Sequence, residues 1–245
     1  MLPIRDSVPR LGRPTVTWTL IAINLAVFFY ELSLPMPQLE ALMLEYGLTP
    51  ARYANPAWAR SVGLDPENLW SFWTTMFLHG GWMHILGNML SLWIFGGSLE
   101  TRMGSVRFTL FYLVSGLAAS LVHFGFNIDS AVPAVGASGA IAGVMGGYFL
   151  RFPRASVTVL FPILFIPLTF DVPAVLYLGF WFISQLFSGT LAILTPAAGG
   201  GIAWWAHIGG FVAGLVWVRL CMKQPISYSF FKRPAAAFRW QRPPY

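Results

Sequence analysis

AVGASGAIAGVMGGYFL, residues 134–150, holds one serine, one tyrosine and no charge in a run otherwise made of small and apolar side chains. Its glycines at 139, 143 and 147 recur at i, i+4 and i+8, so in a helix they line a single face. A serine in such a helix ordinarily bonds back to a carbonyl of the preceding turn. Taken alone, Ser138 therefore carries no functional message, and its meaning depends on what surrounds the stretch.

The surroundings are those of a membrane protein. The chain of 245 residues is 56% hydrophobic and 10% charged, with a mean hydropathy of +0.64. Soluble domains run at about 45–50% apolar and about 25% charged, so this chain cannot cover its surface with polar groups. Eleven tryptophans and twenty-one phenylalanines suit rings that anchor helices at lipid–water boundaries. The net charge of +6 is not gathered on a polar domain, which argues against nucleic acid as a partner. One cysteine, Cys221, excludes an intramolecular disulfide and a cysteine-based metal site. Arginines, an aspartate and prolines in residues 1–15 argue against a cleavable signal peptide.

A membrane-spanning helix needs about 20 mostly apolar residues. Six runs qualify, at residues 16–34, 82–99, 108–126, 135–152, 172–189 and 202–220. The expected architecture is an all-α polytopic bundle of six spans. A cytoplasmic tail precedes it at 1–15, the membrane domain covers 16–221, and a basic cytoplasmic tail follows at 222–245. Residues 35–81 form a long first outer loop suited to the interface. The run SVTVLFPILFIPLTF, residues 156–170, is interrupted by Pro162 and Pro167. It is expected to be a short interfacial or re-entrant connection, with a seventh span as the alternative. Six spans with the N-terminus inside place every Lys and Arg except Arg52 and Arg60 on the cytoplasmic side, as the positive-inside rule requires. A seventh span would send the basic tail outside.

In that topology Ser138 lies near the outer, N-terminal end of the fourth span, where unpaired N–H groups and a partial positive charge gather. His207, in AHIGGFVAG, sits at matching depth in the sixth span. Small residues allow helices to approach closely; the sixth span offers Ala206, Gly210 and Gly214 against Gly139 and Gly143 of the fourth. Contact between the two spans would let the imidazole take the hydroxyl proton and make a nucleophile. Two packing helices with an incidental polar pair fit the same spacing. His84 and Asn88, four apart in HGGWMHILGNM, share a helical face. They suit either an oxyanion site with the Ser138 N–H or a polar clamp between helices. His79 reads as a loop-organising residue and His123 as a core or helix-end histidine.

Four motifs in order resemble the rhomboid family of intramembrane serine proteases: FLHGGWMHILGNM, LETRMG at 99–104, GASGAIAG and AHIGGFVAG. The resemblance runs from about Trp70 to Leu220. It implies Ser138 as nucleophile, His207 as general base and acid, and His84, Asn88 and the Ser138 N–H as the oxyanion site. Glu100 and Arg102 would be structural, tying the cytoplasmic end of the second span to its neighbours. Gly139, Gly143, Gly210 and Gly214 complete the packing motif. The implied reaction is endopeptidase cleavage of transmembrane segments of single-pass or multi-pass proteins within the bilayer, by a Ser–His dyad, with no metal or cofactor. Basic residues on the inner side suggest a bacterial plasma membrane, with an organellar membrane as the alternative, both termini cytoplasmic and the site opening outwards. SGTLAILTPAAGGG, residues 188–201, would form a mobile cap, and its movement with the fifth span would admit substrate laterally.

Two departures stand out. Relatives carry an aromatic ring four residues after the nucleophile, against the catalytic histidine, where this chain has Ala142. Many carry a Trp–Arg pair where Ser71 follows Trp70. The competing class is a catalytically silent rhomboid-like protein that binds transmembrane clients. A transporter or channel would mark its path with charges inside the spans, and here charges sit at span ends. A soluble α/β hydrolase would need a second glycine after the serine and a preceding strand.

Overall fold

The computed structural model describes residues 2–163, 166–194 and 203–222. It is mostly helical. Among the described residues, four helices are long and apolar enough to cross a membrane: α1 (Thr15–Ser33), α8 (Ser105–Phe126), α10 (Ala174–Leu194) and α11 (Trp204–Cys221). A further helical path runs unbroken from α6 (Trp82–Ser91) through a π-helical segment, Leu92–Gly96, into α7 (Gly97–Met103). The stretch quoted first forms α9 (Ser138–Arg151), and it is the centre of the molecule: every residue from Gly139 to Tyr148 is buried.

Glycine explains why α9 can be central. A methyl group added at Gly210 would overlap the Gly139 carbonyl, and one at Gly214 would overlap the Gly143 carbonyl. On the other side, a methyl at Gly143 would strike Ser115 of α8, and one at Gly139 would strike Ala119. The backbones of α8, α9 and α11 therefore meet directly. In lipid, where burying apolar surface gains little, such van der Waals contact is the main attraction between helices.

α1 shows the same economy. Its buried residues Thr17, Leu20, Asn24, Phe28 and Glu31 form one stripe, which takes Asn24 and the one carboxylate of the helix inward. The rest of the helix presents apolar side chains such as Ile23, Phe29 and Tyr30 outward. The first turn of α1 has no side-chain cap of its own. Glu100 supplies one: its carboxylate accepts the N–H groups of Val16 and Thr17 at 2.9 and 2.8 Å, with the Thr17 and Ser105 hydroxyls at 2.7 and 2.9 Å. A carboxylate on unpaired first-turn donors is favourable both as a hydrogen-bond acceptor and against the helix dipole.

Between α1 and α6 the chain folds into α2 (Met36–Tyr46), α3 (Ala51–Ala54), α4 (Pro56–Ser61), α5 (Ser71–Thr74) and a 3₁₀ turn, Thr75–Phe77. Arg52 organises it. Its fully buried guanidinium bonds the Glu45 carbonyl and carboxylate and the Asp65 carbonyl, at 2.7, 2.9 and 2.8 Å. Ser71 is buried too, in a hydrogen bond of 2.5 Å with the Tyr53 hydroxyl. Burial raises the Tyr53 pKa, and the Ser71 bond partly offsets it.

One sequence expectation is corrected. The protein is not all-α: β1 (Leu2–Asp6), β2 (Ser156–Ile163) and β3 (Ile166–Pro173) form an antiparallel sheet in the order β1-β2-β3. Residues 156–170 are thus a hairpin, paired from Ser156↔Pro173 to Ile163↔Ile166, and the seventh-span alternative falls with it. The β-branched alternation Val157-Thr158-Val159 favours a pleated strand; Val157 and Val159 are buried while Phe161, Leu168 and Phe170 stay exposed.

Residues 1–15, expected as a cytoplasmic tail, are structured from Leu2 onward. They include a strand and a bonded arm: Asp6 accepts the Ser98 and Tyr148 hydroxyls at 2.7 and 2.8 Å, and Arg10 donates to the Trp93 carbonyl at 2.7 Å. Burial pushes the Asp6 pKa up against the pull of these hydroxyls and of Arg10.

The helix α9 starts at Ser138, inside the apolar run 135–152. Gly136, at φ +127°, cannot join a helix, and its N–H is held by the Thr75 carbonyl at 2.9 Å. Residues 195–201 of the expected cap and 223–245 of the basic tail lie outside the described residues; Ser188–Leu194 belongs to α10.

Candidate active site

Ser138 is the first residue of α9, so the N–H groups around it have no intrahelical acceptor. His207 lies one turn into α11. The backbone contact between those helices brings the Ser138 Oγ to 2.7 Å from the His207 Nε2. The approach to the serine is pinned from outside the helix: Leu48 and Ala134 pair in a short bridge, and the Thr75 hydroxyl donates to the Ala134 carbonyl at 2.6 Å.

His84 and Asn88, on α6, converge on the same turn. A methyl at Gly136 would fall 2.5 Å from the His84 Nε2 and 3.6 Å from the Asn88 Nδ2. The Gly80 N–H approaches the His84 Nδ1 at a long 3.4 Å, which leaves the proton on Nε2, the nitrogen facing Gly136. The Asn88 Nδ2 is buried without an acceptor. Buried donors are nearly always satisfied, and two aimed at one point are what a developing negative charge requires.

A cavity of about 30 Å³ adjoins the serine, lined by Thr75, Ser120, His123, Gly136 and Ala206 among others. That is room for a water molecule with polar partners.

His79 stands just outside this group. Its N–H donates to the Glu31 carboxylate at 3.1 Å, and its ring packs edge-on against His84 with centroids 5.2 Å apart. Burial, then the neighbouring His84, lowers its pKa to about 4, so it is neutral at physiological pH. His123, on α8, is bonded through Nδ1 to the Asn127 amide at 3.3 Å. Arg102 donates to the Pro9 carbonyl at 2.9 Å and lies over the Phe152 ring.

Ala142 is fully buried and brings no ring to His207. The contacts come from α10 instead. The Trp181 ring lies 5.7 Å from the imidazole, centroid to centroid, and the Gln185 Oε1 is 2.7 Å from the His207 Nδ1. Neither residue was picked out in the sequence. The available signal was the one amide side chain in the mostly apolar run 174–194, where a polar group is costly unless it has a partner.

A family model described as the Rhomboid domain matches residues 66–224. This chain belongs to the rhomboid family. Among similar rhomboids is the Rhomboid protease GluP of Bacillus subtilis, 34% identical over 136 residues, 55% of this chain and 24% of that protein. The mitochondrial Rhomboid protein 1 of Saccharomyces cerevisiae is 31% identical over 173 residues, 67% and 45% of the two chains. Rhomboid-related protein 2 of Mus musculus is 31% identical over 202 residues, 78% and 59%. The matched region covers less than two thirds of the length of each of these relatives.

Proposed function

We propose that this rhomboid is an intramembrane serine endopeptidase that cleaves transmembrane segments of other membrane proteins. The 2.7 Å contact between the Ser138 Oγ and the His207 Nε2 is the observation that carries the reading. In the proposed reaction His207 removes the Ser138 proton as Oγ attacks the scissile carbonyl carbon. The negative charge gathers on the carbonyl oxygen, within reach of His84, Asn88 and the Ser138 N–H. His207 then returns the proton to the leaving amine, and an acyl-enzyme remains. Water, deprotonated by the same imidazole, attacks the ester and releases the new carboxylate and the free serine.

The placement in the bilayer belongs to the same proposal. Six membrane crossings result if the helical path from Trp82 to Met103 and α9 are added to the four long helices. The 14 residues of α9 rise about 21 Å, short of the ~30 Å hydrocarbon core. Its missing outer turn is the Val135–Ala137 segment, held within protein, where non-helical backbone is tolerated. Ser138 would then sit below the outer surface in a protein-lined recess. In this proposal both termini are cytoplasmic, the site opens outwards from a bacterial plasma membrane and residues 35–81 lie at the outer interface, a reading that the distribution of Lys and Arg supports.

The test is labelling of purified protein by a fluorophosphonate, beside Ser138→Ala and His207→Ala, followed by cleavage of a transmembrane peptide in liposomes. Labelling and cleavage in the wild type alone are expected. Equal labelling of the wild type and Ser138→Ala would refute the nucleophile assignment. Binding of the peptide without labelling or cleavage would favour the client-binding alternative.

A further inference from the structure

A base needs a bare nitrogen as well as proximity, and a neutral imidazole carries one proton that could sit on either side. The environment of Gln185 decides which. Its Nε2 lies 3.2 Å from the Trp181 carbonyl and 3.0 Å from the Ser184 hydroxyl. A carbonyl can only accept, so the amide nitrogen must face it and the amide oxygen must face His207. That oxygen also only accepts, so the His207 Nδ1, 2.7 Å away, must carry the proton. Nε2 is then bare and accepts the Ser138 hydroxyl proton.

We infer that Gln185 is a positioning residue, setting the tautomer and ring orientation of His207 through a chain from the α10 backbone to the serine. The inference rests on the protease reading above. It fills the place that Ala142 leaves empty, with Trp181 one helical turn earlier supporting the imidazole face. An amide differs from the carboxylate of a triad in carrying no charge. It orients the base in a membrane setting where a buried charge would be costly, and it leaves the imidazolium that forms during the reaction without a counter-ion.

Three measurements test this on the full-length protein in detergent. First, nitrogen-15 NMR of wild-type histidines should show His207 protonated at Nδ1 and bare at Nε2; the opposite tautomer overturns the inference and needs no variant. Second, Gln185→Leu, similar in bulk but unable to accept, should lower kcat for a transmembrane peptide by ~10²-fold, the scale of general-base catalysis, with KM unchanged. Third, Gln185→Glu should recover much of that loss at high pH, with the acid limb of kcat moved upward. The need to ionise the new carboxyl and its field on the imidazolium both act in that direction. Wild-type rates and an unchanged pH profile in both variants would refute the positioning role while leaving the protease reading intact. Absence of fluorophosphonate labelling in the wild type would instead count against the protease reading itself.

Discussion

Gly136 carries a constraint that no other residue type could meet. Its φ of +127° lies where side chains clash with their own backbone, and the Cβ it lacks would fall on the His84 imidazole. Gly136→Ala is therefore expected to disturb the proposed oxyanion donors, His84 and Asn88, more than the proposed nucleophile, Ser138. Strain of ~1–3 kcal/mol attaches to such a conformation, so the melting temperature in detergent should fall modestly. Peptide cleavage should fall further, while the Ser138–His207 contact survives. A variant that keeps wild-type cleavage would show that His84 is not required at its present distance. The serine and histidine could be read from the sequence because depth in a span follows from residue count. Gln185 could not be read that way, because facing His207 depends on the rotation of α10 about its axis, and an apolar helix gives no periodicity from which to deduce that rotation.

At the scale of elements, the Ser138–His207 distance depends on how closely α9 and α11 approach. Gly210 lies three residues after His207, on the side of α11 that touches the Gly139 carbonyl. Gly210→Ala must push the helices apart next to Ser138 and His207, and overpacking of this kind costs ~1–3 kcal/mol. The expected result is a loss of fluorophosphonate labelling rate larger than the loss of thermal stability, since a hydrogen bond weakens over a few tenths of an ångström. Val212→Ala, at an exposed position of the same helix, should change neither. If Gly210→Ala labels at the wild-type rate, close backbone contact does not set the dyad geometry. The glycine spacing that makes this contact was visible in the sequence. The hairpin at 156–173 was not, because a short apolar run does not distinguish strand from helix by period alone. The partner that settles it, β1, comes from residues 2–6, more than a hundred positions away, and such pairing leaves no local trace.

For the molecule as a whole, the end opposite Ser138 is locked by groups that never approach Ser138 or His207. Glu100 ties α7 to the start of α1 and to Ser105 at the start of α8, while Asp6 and Arg10 fasten the N-terminal arm to the π-helical segment, α7 and α9. The pattern of charges in the sequence showed which residues gather at this end, but not that a strand and an arm would close over it, since hydrogen bonds between distant segments have no signature in composition. Glu100→Ala leaves the α1 first turn without its acceptor, and the lost bonds are to a charged group, each worth ~1.5–3 kcal/mol. The expected outcome is a lower melting temperature and faster proteolysis of the arm, with the pH profile of peptide cleavage unchanged in the protein that remains folded. Glu100→Gln, which keeps one acceptor oxygen, should recover part of the stability. A shifted pH profile in either variant would mean that this end of the bundle is coupled to His207, and the separation of scaffold from chemistry argued from the contacts would be wrong.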